Sequence, residues 1–146
     1  MNKVLFHTAD KKLTLKGKKE VKEFIAELFF KEYKLMKRLD YIFCSDEYLL
    51  KINNDFLSHD YYTDIITFDL SSTQEIEGEI YISLDRVKDN AAKHLVAYRT
   101  ELLRVVFHGA LHLCGYRDKK KSEITTMRAK EDYYLRLFDK KIDEIK

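Results

Sequence analysis

Apolar side chains recur along this chain with two different periods, and the change from one to the other divides it into elements. Between Lys18 and Met36, the positions Val21, Phe24, Ile25, Leu28 and Phe29 follow the three-and-four spacing of one helix face, which predicts a helix over that span. Short alternating or β-branched runs predict strands at Val4–His7, Leu39–Cys44, Ile65–Leu70 and Glu79–Leu84. A second helix is predicted from Asp46 to about Phe56, capped by Ser45 or Asp46. Asp85 is placed to cap a helix reaching about Val96. Thr100 is placed to cap the next helix, which turns Leu103, Phe107, Ala110, Leu111 and Cys114 inward. A last helix is predicted from Ser122 to about Phe138. The polar SSTQEIEG stretch reads as a turn, so the strands on either side of it are expected to pair as an antiparallel hairpin. The expected fold is therefore α+β: a small mixed four-stranded sheet packed against several helices.

Length and composition narrow the picture. With 146 residues, 45% of them hydrophobic, the chain is expected to form one domain over residues 1–146, and no repeat or linker divides it. No apolar run approaches the length of a membrane span, and MNKVLFHTADKK lacks the pattern of a secretory signal, so a cytoplasmic location with no membrane partner is expected. Cys44 and Cys114 do not form a disulfide framework and are expected as reduced, packed thiols. A net charge of +2 is too small to indicate nucleic-acid binding by itself. Lysines cluster at Lys11, Lys12, Lys16, Lys18 and Lys19 and again at Lys119–Lys121. Such clusters ordinarily solvate a surface, although the second adjoins the segment considered next.

That segment is HGALHLCGYRD, His108 to Asp118. His108 and His112 stand four positions apart, so on a helix both imidazoles project from one face. Gly115 can then stop the helix in a left-handed conformation and let the chain return with the Asp118 carboxylate. Histidines at this spacing also occur as packed, hydrogen-bonded pairs, and a lone aspartate after a helix is often a solvated turn residue. Gly109 points the other way: glycine within a helix costs about 1 kcal/mol relative to alanine, so something is expected to approach the backbone there. Together these features make His108, His112 and Asp118 the candidate ligands of one divalent metal at the end of a central helix, with His94 the next residue to consider. The spacing is that of the metzincin zinc motif, with Gly109 where the catalytic glutamate of those peptidases stands.

The same segment resembles the YbeY family of metal-dependent endoribonucleases, whose motif runs HGxLHLxGYDH; every fixed position from His108 to Tyr116 matches. Upstream, INNDFLSHDYYTDIITFDL is similar to a family stretch in which Asn53, Asp60, Thr63, Asp64 and Phe68 hold the matching places. GEIYIS, from Gly78 to Ser83, resembles the family's GDI strand, and Met127 stands where the family has a methionine. The likeness covers roughly residues 52–130. It implies cleavage of single-stranded RNA in ribosomal RNA maturation and ribosome assembly, with ribosomal RNA and ribosomal components as partners and zinc as the cofactor.

Two departures stand out. Asp118 replaces the family's third histidine ligand, a change that zinc tolerates because it accepts carboxylate oxygen at about 2.0–2.2 Å. Leu57 replaces the family's arginine in the upstream loop. Arg117, beside the acid ligand, is then the candidate cation for contact with substrate phosphate, and His59 a second substrate contact. No residue is assigned as the general base. A metallopeptidase-like hydrolase shares the ligand spacing, a two-histidine, one-carboxylate iron oxygenase shares the ligand chemistry, and a ribosome-associated binding protein with little nuclease activity is consistent with Leu57.

Overall fold

Three strands of the sheet run parallel and only one runs against them. The computed structural model describes residues 3–145. Its elements, in order, are β1 (Lys3–Thr8), α1 (Lys18–Lys31), β2 (Met36–Cys44), α2 (Asp46–Leu57), β3 (Ile65–Asp69), β4 (Ile76–Ser83), α3 (Leu84–Lys93), α4 (Tyr98–Leu113) and α5 (Lys121–Ile145). The strand order is β1-β2-β4-β3. β2 pairs in parallel with both β1 and β4, while β3 and β4 form the expected antiparallel hairpin. The parallel pair β1 and β2 needs a crossover, and α1 supplies it. The mixed four-stranded sheet and α+β class follow as the sequence pattern indicates.

Alternation along β4 shows how the sheet divides its two faces. Ile80 and Ile82 join the main core, which also holds Phe24, Leu28, Phe43, Phe107 and Leu111. Tyr81, between them, turns to the other side and packs on a smaller cluster of Cys44, Leu49 and Ile66 beneath α2. In the main core α4 lies against the sheet, fixed by Tyr41, whose buried hydroxyl donates to the carbonyl of Val106 at 2.8 Å.

Several boundaries differ from the sequence expectation, each for a local reason. α1 stops at Lys31 rather than near Met36, because Tyr33 takes a left-handed φ of 59° and the chain reverses, sending Met36 into β2. Ser83, rather than Asp85, caps α3: its hydroxyl accepts from the Arg86 N–H at 3.1 Å, and Asp85 instead accepts from the Asp46 N–H at 3.0 Å. That helix ends at Lys93, before Leu95 with its φ of 57°. α4 starts at Tyr98, so Thr100 lies inside its first turn and Ala97 flanks it without a side-chain cap. Ser45 does cap α2, accepting from the Tyr48 N–H at 3.1 Å. α5 runs well past Phe138, because Ile142 still packs against the core.

Candidate metal centre

α4 can carry two histidines over the sheet because Gly109 leaves room beneath it. A Cβ at this position would meet Ile80 Cγ2 at 2.9 Å and Ile65 Cδ1 at 3.0 Å, so side chains of β3 and β4 are what approach the helix there. His108 and His112 then stand one turn apart, with ring centroids 4.4 Å apart and planes at 87°. The helix ends at Leu113, and Gly115, with a φ of 108°, turns the chain so that the Tyr116 N–H reaches the Leu111 carbonyl at 3.1 Å. The space around Gly115 is open, so its backbone angle is what calls for glycine.

The turn returns Asp118 to the histidines. Its Oδ2 lies 3.3 Å from His108 Nε2 and 3.4 Å from His112 Nε2. One ligand atom from each of the three residues falls within 4.8 Å of the others. The opposite ring nitrogens are both engaged: His108 Nδ1 lies 2.6 Å from Glu131 Oε2, and His112 Nδ1 lies 2.9 Å from the Tyr116 carbonyl. A carboxylate and a carbonyl can only accept, so each Nδ1 carries a proton, which leaves each Nε2 as the ring atom available to a metal beside Asp118. This is how histidine ligands are oriented for a metal. Electrostatics agree with the geometry. Burial opposes a charge on His108, yet the hydrogen bond and charge of Glu131, together with Asp118 and Asp64, outweigh it and raise the imidazole pKa. The negative charge that Glu131, Asp118 and Asp64 gather around this imidazole suits a cation. Two imidazole nitrogens and a carboxylate oxygen make a donor set that fits a divalent metal.

Glu131 is itself held in place. Burial works against its ionisation, but bonds from His108 and Arg104 outweigh that and keep its pKa low. Arg104 forks between helices, with Nη1 2.9 Å from Glu131 Oε1 and Nη2 2.6 Å from Asp132 Oδ1. Tyr116, whose carbonyl orients His112, donates its hydroxyl to Glu32 Oε1 at 2.7 Å; Glu32 also accepts from Tyr134 and from Lys130.

The three clustered residues line a cavity of about 760 Å³ bordered by β3, α4 and α5. His59 is on its wall, exposed, with its ring stacked on Tyr61 at 5.1 Å. Leu57 and His94 also face it, but His94 is outside the ligand cluster. Arg117 is exposed beside Asp118 and is not part of the wall. Lys119–Lys121 are exposed and likewise off the wall. Cys114 is a free, buried thiol whose pKa burial pushes up to about 12, and it is not in the cluster.

Sequence reasoning gave no role to four residues on this wall: Asp64, Arg104, Arg128 and Glu131. The helical spacing of Ile124, Met127, Arg128 and Glu131 was a usable signal, since it puts all four on one face of α5. Burial raises the pKa of the Asp64 carboxyl, and repulsion from Glu131 and Asp118 adds to this, while the charge of His108 opposes it.

Fold and site together define a class, that of a mixed-sheet protein with a two-histidine, one-carboxylate centre on the helix across the sheet. A family model described as Endoribonuclease YbeY matches residues 4–139. The Endoribonuclease YbeY of Cytophaga hutchinsonii is 50% identical over 135 residues, which span 92% of this chain and 94% of that one. That of Porphyromonas gingivalis is 44% identical over 132 residues, spanning 90% and 87%. A solution structure of a Thermotoga maritima protein matches with a TM-score of 0.66 and 27% identity, covering 96% of this chain and 92% of that one. The chain belongs to the endoribonuclease YbeY family. Among the described residues no helix is long and apolar enough to cross a membrane.

Proposed function

We propose that this protein is a metal-dependent endoribonuclease that cleaves single-stranded RNA, acting in the cytoplasm in ribosomal RNA maturation and ribosome assembly with ribosomal components as partners. The observation that carries the reading is the convergence of His108 Nε2 and His112 Nε2 on Asp118 Oδ2 in a cavity of about 760 Å³. These three residues would hold the ion, and zinc is the proposed metal because it accepts two imidazoles and a carboxylate. Bound there, the metal supplies Lewis acidity toward a phosphoryl oxygen.

The chain's own residues do the rest. Glu131 and the Tyr116 carbonyl hold the imidazoles in one tautomer and one orientation, and Arg104 keeps Glu131 ionised in its buried place. Asp64, its pKa raised chiefly by burial, lines the same cavity wall. His59 is the proposed substrate contact on the wall, and Arg117, beside Asp118, the proposed contact at the rim.

The test is cleavage of single-stranded and duplex ribosomal RNA fragments by zinc-loaded protein. Cleavage restricted to single strands, and lost in His108→Ala, is the expected result. An intact zinc-loaded protein that cleaves none of them would overturn the nuclease reading and favour the ribosome-associated binding protein, for which the apolar Leu57 on the cavity wall is the supporting observation.

A further inference from the structure

The cavity wall carries an acidic load that an RNA strand must overcome: Asp64, Asp69, Glu101, Asp118 and Glu131 all border it. A phosphodiester is itself anionic, so a bound strand needs cations that are not already spent on these carboxylates. Two arginines border the cavity, Arg104 and Arg128, and their situations are opposite. Arg104 is 19% exposed at its side chain and both of its terminal nitrogens are committed, at 2.9 Å to Glu131 and 2.6 Å to Asp132. It is a structural clamp between α4 and α5. Arg128 is 59% exposed at its side chain, and its one ion-pair contact among the described residues is a long one, Nη1 to Glu131 Oε1 at 3.6 Å. Most of its five donors therefore remain directed to solvent and cavity.

Position reinforces the contrast. Arg128 shares the cavity face of α5 with Ile124, Met127 and Glu131. It lies three residues nearer than Glu131 to the loop presenting Asp118, about 4.5 Å along the helix axis. The guanidinium is thus tethered lightly at its inner edge by Glu131, beside the residue that orients His108, with its outer edge open to a ligand. Leu57, which also lines the cavity, has no charge to offer.

We infer that Arg128 contacts a backbone phosphate of the RNA strand in this cavity and is the cation that substrate binding uses on the α5 wall. The inference rests on the endoribonuclease reading for its substrate. Glu131 acts here as a positioning residue, limiting the directions in which the guanidinium fork points.

The experiment compares zinc-loaded wild type with Arg128→Ala, Arg128→Lys and Arg136→Ala, the last removing an exposed arginine of the same helix that does not border the cavity. Cleavage of a single-stranded ribosomal RNA fragment is measured, together with metal content and the salt dependence of binding to a 2′-O-methyl single strand. Arg128→Ala is expected to lower kcat/KM on the order of 10- to 100-fold, the range for losing a hydrogen bond to a charged group. Its metal content stays at the wild-type level, and the slope of log affinity against log salt falls by about 0.7, one phosphate contact on a single strand. Arg128→Lys recovers part of the loss, because a point charge keeps the attraction without the fork. Arg136→Ala matches wild type, and adding Leu57→Arg to Arg128→Ala restores cleavage. A wild-type salt slope in Arg128→Ala overturns the inference even if cleavage falls, since that pattern assigns the residue to the support of Glu131 alone. If wild type does not cleave RNA, the nuclease reading fails by itself and the salt slope still decides whether Arg128 touches phosphate.

Discussion

Glu131 Oε2 lies 2.6 Å from His108 Nδ1, and this contact joins the helix that carries the two candidate histidine ligands to the last helix of the chain. The carboxylate is buried and is bonded by Arg104 on its other oxygen. It accepts the imidazole proton, fixes the tautomer and prevents the ring from rotating its Nε2 away from Asp118.

Glu131→Ala is therefore expected to weaken divalent-metal affinity by 10- to 100-fold, the range typical of partners that orient a ligand. Glu131→Gln, which keeps an accepting oxygen, loses less. Competition against a chelating dye measures both, and wild-type affinity in the alanine variant would show that the contact does not orient His108.

The ligand set makes a sharper prediction. His108→Ala and His112→Ala each abolish stoichiometric metal in elemental analysis of the purified protein. Asp118→Ala weakens binding, whereas Asp118→His retains it, because imidazole nitrogen is an equivalent zinc donor at nearly the same bond length. Indifference of affinity to Asp118→Ala would assign the third position to another group.

Gly109→Ala tests the close seating of α4. Alanine favours the helix by about 1 kcal/mol, but a Cβ 2.9 Å from Ile80 Cγ2 overpacks the interface at a cost of about 1–3 kcal/mol. The expected result in urea unfolding is a net loss of stability of up to about 2 kcal/mol. A variant more stable than wild type would mean that the sheet yields to the added methyl.

Glu32 sets a pH dependence of stability. Burial works against ionisation of its carboxyl, but hydrogen bonds from Tyr134, Tyr116 and Lys130 outweigh it and lower the pKa. A carboxyl whose pKa is depressed by folding contributes stability that is present above the unfolded value of about 4.3 and is lost as pH falls through the lower folded value. The stability gap between wild type and Glu32→Gln should therefore be widest near neutrality and close in acid. A gap that stays constant between pH 7 and pH 3 would contradict this account.

Legibility in the sequence followed the range of the interactions. The pair His108 and His112, the stop at Gly115 and the return of Asp118 lie within eleven residues, and local helix geometry places them. The strands and the β3–β4 hairpin were readable for the same reason, as alternation and a short connection are local signals. Glu131 and Arg104 acquire their roles only when α5 docks on α4; helical spacing puts Glu131 on one face with Met127 but does not pair it with a His 23 residues earlier. Helix ends were misplaced where a tertiary reversal decided them, as at Tyr33, or where two caps competed, as with Ser83 and Asp85. Arg117 was legible through its adjacency to Asp118 in sequence; Arg128 carries no such local mark, and it borders the cavity only because α5 docks there.

Tyr116 joins two regions that share no sequence neighbourhood. Its carbonyl steadies His112, while its hydroxyl is anchored on Glu32 at the far end of α1. The loop is thereby moored twice at one residue: to the histidine helix through its backbone and to the end of the first helix through its side chain. The setting of the candidate ligands is, in this arrangement, partly inherited from the amino-terminal third of the molecule, so variation at Glu32, just past α1, retunes the centre without altering any of the three clustered residues.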